Sequence, residues 1–178
     1  MEKTLVNDDR VYNVLFLCTG NSARSIFAEV LINSIGGERF RAFSAGSHPS
    51  GQVHPMVLAY LEKVGYDTSG LSSKGWEVFS GSDAPALDFV FTVCDRAAAE
   101  SCPVWPGQPV SAHWGIEDPV ALDPGESASE EARLKPFKAA FTALQRRIQL
   151  FMNLPIASLD RMKLQQELDQ IGRDGESE

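Results

Sequence analysis

At 178 residues, 43% of them hydrophobic and 22% charged, the chain has ordinary globular composition and enough length to bury a core. A formal net charge of −8 speaks against nucleic acid as a partner, because phosphate backbones are bound by a surplus of Lys and Arg. No apolar run reaches membrane-spanning length, and the acidic N-terminus lacks a signal-peptide core. Three cysteines (Cys18, Cys94, Cys102) form an odd, sparse set that suits a reducing cytoplasm, where a disulfide is transient and catalytic. The expectation is one cytoplasmic domain over 1–178, with its core at about 11–172 and terminal tails at 1–10 and 173–178.

Residues 11–18 form a short apolar run closed by Thr19-Gly20-Asn21, which predicts a buried strand ending in a loop. Over 22–35, Ile26, Phe27, Val30 and Leu31 recur at helical spacing until Gly36-Gly37. A second strand is expected over 40–47, and a helix over 54–64 with Pro55 in its first turn and Gly65 after it. A short helix is expected over 73–79, a third strand over 87–94, and a short fourth strand over 111–115. Residues 95–100 read as helical. A long amphipathic helix over 130–151 shows Phe137, Phe141, Leu144, Ile148 and Phe151 on one face; Pro136 either kinks it or marks its start, and Pro155 ends it. A last helix over 158–171, capped by Ser158, leaves a polar tail from Gly172.

Strands alternating with helices imply an α/β fold with a parallel sheet, whose ligands sit outside the carboxyl ends of the strands. Cys18 and Cys94 each fall at such an end, so they belong on one edge of the sheet.

The strongest local signal is Cys18, five residues, then Arg24, between a strand and a helix. Backbone N–H groups of Thr19, Gly20, Asn21, Ser22, Ala23, Arg24 and Ser25 can converge on a tetrahedral anion there, with Arg24 offering a planar fork for two oxygens. Gly20 permits a tight turn, and Asn21 tolerates a left-handed backbone. A thiol ionises at about 8.5, and a helix N-terminus plus a cation lowers that value, so Cys18 is expected as a thiolate nucleophile, with Ser22 or Ser25 hydrogen bonding to its sulfur.

With these residues in place, the segment Val14-Leu15-Phe16-Leu17-Cys18-Thr19-Gly20-Asn21-Ser22-Ala23-Arg24-Ser25 resembles the anion loop of the low-molecular-weight tyrosine phosphatase superfamily. Within it, the chain is similar to the arsenate reductases built on that fold, through Phe43-Ser44-Ala45-Gly46, Val93-Cys94-Asp95, Cys102-Pro103-Val104-Trp105-Pro106-Gly107 and His113-Trp114-Gly115-Ile116-Glu117-Asp118-Pro119. The resemblance implies a three-layer sandwich, a four-stranded parallel sheet with helices on both faces. It implies Asp118 as a general acid reaching over the loop.

As a reductase, the chain is expected to take arsenate, with phosphate or sulfate as analogues, onto Cys18 and to release arsenite through a relay via Cys94 and then Cys102. An external thiol donor, thioredoxin or glutathione with glutaredoxin, recycles it; no bound cofactor is expected. Seven residues separate Cys94 from Cys102, a longer spacing than in the thioredoxin-coupled members. Ala23 stands where several relatives carry another cysteine. A phosphotyrosine or phosphomonoester hydrolase is the alternative, but Val120-Ala121-Leu122-Asp123 supplies no ring for an aryl pocket after Asp118-Pro119. A non-catalytic oxyanion or redox sensor is the third reading, and it has no need of the nucleophile and the acid together.

His48, His54 and His113 show no zinc-like spacing, so no metal site is expected. Trp76, Trp105 and Trp114 read as core or loop anchors, and 126–131 as a solvated helix start. Some reductases of the family bind a monovalent cation through counterparts of Asn21, Glu29 and Ser44; here the Lys74 ammonium is expected to stand in for that cation.

Overall fold

A computed structural model of the chain describes residues 10–94, 103 and 105–174. The apolar run becomes β1 (Tyr12–Cys18), buried on both faces because it is central in a four-stranded parallel sheet of order β2-β1-β3-β4. The other strands are β2 (Phe40–Gly46), β3 (Phe89–Thr92) and β4 (Val110–His113). The helices are α1 (Arg24–Ile35), α2 (Pro55–Lys63), the single turn α3 (Pro119–Leu122), α4 (Glu130–Met152) and α5 (Arg161–Asp174). Among the described residues, no helix is long and apolar enough to cross a membrane.

Alternation along β1 divides the core. Val14, Phe16 and Cys18 face the larger cluster, which takes in the apolar stripes of α1, α2, α4 and α5. Leu15 and Leu17 face a smaller cluster with Ala45, Phe79, Leu87, Val90 and Trp105, covered by a 3-10 turn at Trp76–Phe79. The sheet thus lies between a thick helical layer and a thinner one. The segment 95–100, read as helical, lies outside the described residues.

Aromatic packing ties the sheet to the end of α4, through the first residues of β2 and β3 as well as Phe91 and Trp114. Phe91 stacks on Trp114 with ring centroids 3.8 Å apart, and Phe151 meets Phe40, Phe89, Phe91 and Trp114.

Several expected boundaries shift for identifiable reasons. Ser22 and Ala23 belong to the loop, and α1 opens at Arg24 with no side-chain cap. His54 precedes α2 and caps it, its Nδ1 accepting from Met56 N at 3.1 Å. Ser73 and Lys74 lie outside any helix, because Gly75 bridges Gly46 in parallel register and the 3-10 turn begins only at Trp76. The third strand is shorter than 87–94, since Leu87 N is turned to Pro106 O. Ser129 Oγ caps α4 by accepting from Ala132 N at 3.1 Å, and Pro136 lies inside that helix, which stops at Met152 ahead of Pro155.

The last helix departs most from the sequence reading. Ser158 sits in a 3-10 turn (Ile156–Ser158), and Asp160 takes the capping role, its Oδ1 accepting from Lys163 N at 2.8 Å. The expected polar tail from Gly172 is helix through Asp174, and Ile171 and Gly172 are buried. Gly172 is there to be thin: a Cβ would fall on His113 O and come within 3.0 Å of Trp114 Cδ1. Gly172→Ala is therefore expected to push α5 off β4 and cost about 1–3 kcal/mol. Thermal unfolding should show this as a fall of several degrees in Tm.

Candidate active site

The parallel register places Cys18 opposite Gly46 and pairs Leu17 with Thr92, so β1, β2 and β3 all end at one edge. The loop after Cys18 is built from its carbonyls outward. Those of Cys18, Thr19, Gly20 and Ser22 accept the N–H groups of Ser47, His48, Ser50 and His54, all on the connection from β2 to α2. Ser73 Oγ adds a second bond to Gly20 O. With the carbonyls committed to that connection, the amides are left to face inward, and Asn21 N donates to Cys18 Sγ at 3.2 Å. Asn21 takes the left-handed backbone expected of it, at φ 45°. The uncapped start of α1 adds its own unsatisfied N–H groups.

Ser25, not Ser22, touches the nucleophile: its Oγ lies 2.9 Å from Cys18 Sγ and accepts from Asn21 Nδ2 at 2.8 Å. Cys18 is 3% exposed. Burial is the largest influence on its thiol and pushes its pKa up. Hydrogen bonds from Ser25 and Asn21 pull it down, and the nearby Cys94 pushes it up again. The expectation of a depressed value is thus reversed in direction. The geometry gives a reason: Arg24 does not meet the sulfur but donates Nη1 to Ile116 O at 3.1 Å and lies 3.7 Å from Asp118 Oδ2.

Asp118 caps α3 through Oδ1, which accepts from Val120 N at 3.0 Å, and its side chain is 40% exposed. It therefore sits at the mouth of the site, tied to Arg24. After it, Val120 and Leu122 are exposed and no ring lines the entrance from α3. Cys94, also 3% exposed, has its sulfur 3.5 Å from Thr19 Oγ1, and it and Cys18 are both thiols. Cys102 lies outside the described residues.

Lys74 joins the loop from below. Its backbone N donates to Asn21 Oδ1 at 2.8 Å, and its Nζ donates to Ser44 O at 3.2 Å and Ser72 O at 2.9 Å. Ser44 Oγ donates to Glu29 Oε1 at 3.0 Å; burial raises the Glu29 pKa and Lys74 opposes that rise. Asn21, Glu29, Ser44 and Lys74 are thus one connected group. Elsewhere, His54 lies tilted against Phe137, His113 Nδ1 pairs with Thr92 Oγ1 at 2.8 Å, and Trp114 Nε1 donates to Leu168 O at 3.0 Å.

Two features escaped sequence reading. Gly46 packs directly under the loop, where a Cβ would fall on Thr19 O; its place in Phe43-Ser44-Ala45-Gly46 was the available signal. Arg147 is 3% exposed and donates Nη1 to Trp114 O at 2.7 Å and Gly115 O at 2.9 Å. A cation on the apolar face of α4, between Leu144 and Ile148, was its signal.

Comparison with known proteins agrees with this geometry. The family profile for low molecular weight phosphotyrosine protein phosphatase matches residues 13–166. Arsenate reductase 1 of Staphylococcus epidermidis is 35% identical over 136 residues, covering 76% of this chain and 96% of that protein. A solved arsenate reductase in the phosphate binding state superposes with a TM-score of 0.64 at 28% identity, covering 80% of this chain and 97% of its own. The thioredoxin-dependent arsenate reductase of Corynebacterium glutamicum gives a TM-score of 0.51 at 26% identity, covering 79% of this chain and 63% of its own.

Proposed function

The chain belongs to the low molecular weight phosphotyrosine protein phosphatase family, and from that premise we propose that it reduces arsenate to arsenite. The observation that carries the proposal is the second buried thiol, Cys94, beside the anion loop that holds Cys18. A hydrolase has no use for it, whereas a two-electron reduction requires it. The arsenate reductases among its relatives support the same choice.

Arsenate enters the loop and draws Arg24 from Ile116 O onto two of its oxygens. The raised Cys18 thiol gives its proton to an oxygen of the arsenate dianion as its sulfur bonds arsenic. Asp118, at the mouth of the loop, delivers the proton to the oxygen that leaves as water. The result is a thiol–arsenic(V) adduct carrying one negative charge, with Asp118 ionised until solvent returns its proton. Cys94 then gives its proton to solvent as its sulfur attacks Cys18 Sγ; the S–As electron pair passes to arsenic, and arsenite departs from a Cys18–Cys94 disulfide. Cys102 receives that disulfide in turn, and an external dithiol of the thioredoxin class reduces it, a donor in keeping with the thioredoxin-dependent relative. The reaction consumes two thiols per arsenate and needs no bound cofactor.

The purified chain, given arsenate with thioredoxin and its reductase, is expected to release arsenite catalytically, and Cys102→Ser is expected to stop this. Turnover of Cys102→Ser with glutathione and glutaredoxin would assign the donor to the small thiol instead.

Lys74 completes the proposal as a built-in replacement for a monovalent cation, since its ammonium already holds Ser44 O and offsets the Glu29 charge. The native chain is expected to show equal activity in potassium and sodium at matched ionic strength. Lys74→Met is expected to lose several-fold in activity and recover part of it with potassium. Strong potassium activation of the native chain would overturn this role.

A further inference from the structure

The acid-bearing segment between Trp114 and Asp123 is gripped at both ends by one helix. Arg147, from the last third of α4, is buried and holds the carbonyls of Trp114 and Gly115 with a single nitrogen, at 2.7 and 2.9 Å. Arg133, near the start of α4, forms a two-pronged pair with Asp123: Nε to Oδ1 at 3.0 Å and Nη2 to Oδ2 at 2.8 Å. Asp123 also accepts from Gly125 N at 3.0 Å. The two arginines are 14 positions apart (147 − 133), about four helical turns, so they project from the same face of α4.

Asp118 and Asp123 are the two caps of α3, so the turn that Asp118 opens is closed by the residue that Arg133 holds. Between the fixed ends, Arg24 touches Ile116 O and Asp118. When Arg24 turns to an anion it gives up these partners, and between the fixed ends the segment is then held by the bond from Ile116 N to Val93 O at 3.1 Å, two residues short of Asp118. From this we infer that Arg133 and Arg147 are positioning residues: they keep Asp118 at its working reach over the loop while Arg24 is on the substrate. The inference rests on Asp118 acting as the acid in the proposed reaction.

The Arg133–Asp123 pair suits such a role. Its hydrogen bonds to Arg133 hold the Asp123 carboxyl down at about 2. A depressed acid contributes its interaction above the ordinary carboxylate range and loses it as the pH falls towards that value. The pair is therefore intact across the range in which the reaction runs.

The test is a mutant cycle read by single-turnover arsenite release and, in parallel, by hydrolysis of an activated aryl phosphate, which uses the same loop and acid. Arg133→Gln is expected to slow the chemical step about tenfold by misplacing Asp118, with inhibition by inorganic phosphate unchanged within about twofold. In the Asp118→Asn background, the same substitution is expected to cost nothing further. The exchanged pair Arg133→Asp with Asp123→Arg is expected to restore the rate to within about threefold of native, and Arg147→Lys, which keeps a donor, to fall between native and Arg133→Gln. A loss that multiplies with that of Asp118→Asn, or no loss in Arg133→Gln, would overturn the inference. Coupling on the aryl phosphate without arsenite release by the native chain would overturn the reductase reading and leave the clamp standing.

Discussion

Cys94→Ser is expected to abolish arsenite release, by on the order of 10³-fold, while leaving arsenate able to bind and to load Cys18. Serine keeps a hydroxyl near Thr19 Oγ1, where the Cys94 sulfur now lies at 3.5 Å, so the packing of the site is largely preserved. A hydroxyl cannot form the disulfide that sends two electrons to arsenic. The same variant is expected to hydrolyse an activated aryl phosphate at close to the native rate, because that reaction uses Cys18, Arg24 and Asp118 alone. Arsenite assay and aryl phosphate hydrolysis on one preparation check both halves. Unchanged arsenite release from Cys94→Ser would remove Cys94 from the chemistry.

Gly46→Ala is expected to damage both activities together. The added methyl would fall on Thr19 O and stand about 3.0 Å from Asn21 N, both backbone atoms of the anion loop that cannot swing aside as a side chain would. Gly46 is also fixed from the other side, since its N–H donates to Lys74 O at 2.9 Å and its Cα pairs with Cys18. The loop must therefore move, and with it the amides aimed at the substrate. A displacement approaching 1 Å is worth roughly 10² in rate. Steady-state kinetics with inorganic phosphate as inhibitor should show weaker phosphate binding alongside the lower rate. Native phosphate affinity in Gly46→Ala would mean the loop does not rest on this contact.

Much of this site was legible in the sequence because its parts are local. The run ending at Cys18, the left-handed asparagine of the loop and Arg24 at the helix start each follow from short-range chemistry and take their expected places, whereas Gly20 has no positive φ and room for a Cβ 3.7 Å from Ser22 Oγ. The carboxyl-edge argument likewise put Cys94 beside Cys18 from strand order alone. What escaped was set by partners distant in the chain. Gly172 reads as the start of a tail until β4 is seen to need a thin neighbour there. Ser158 reads as the cap of the last helix, but it falls in a 3-10 turn whose Ile156 is buried in the core, and Asp160 caps the helix instead.

The Cys18 thiol shows the same division. Helix terminus and nearby cation argue for a lowered value, but Arg24 is occupied 92 positions away by Ile116, and burial then dominates. Arg147 is another case: no local pattern says that a helix-face cation will reach the two carbonyls leading to Asp118.

The central claim is that Cys18 and Cys94 together deliver two electrons to arsenic. The most direct measurement is a single turnover of the reduced chain with excess arsenate and no external thiol, counting arsenite released, thiols lost and disulfide position by mass spectrometry of peptides. With Cys102→Ser as the protein, the account predicts one arsenite per chain, two thiols lost and a Cys18–Cys94 disulfide. Intact thiols and no arsenite, in a preparation that hydrolyses phosphotyrosine efficiently, would contradict it.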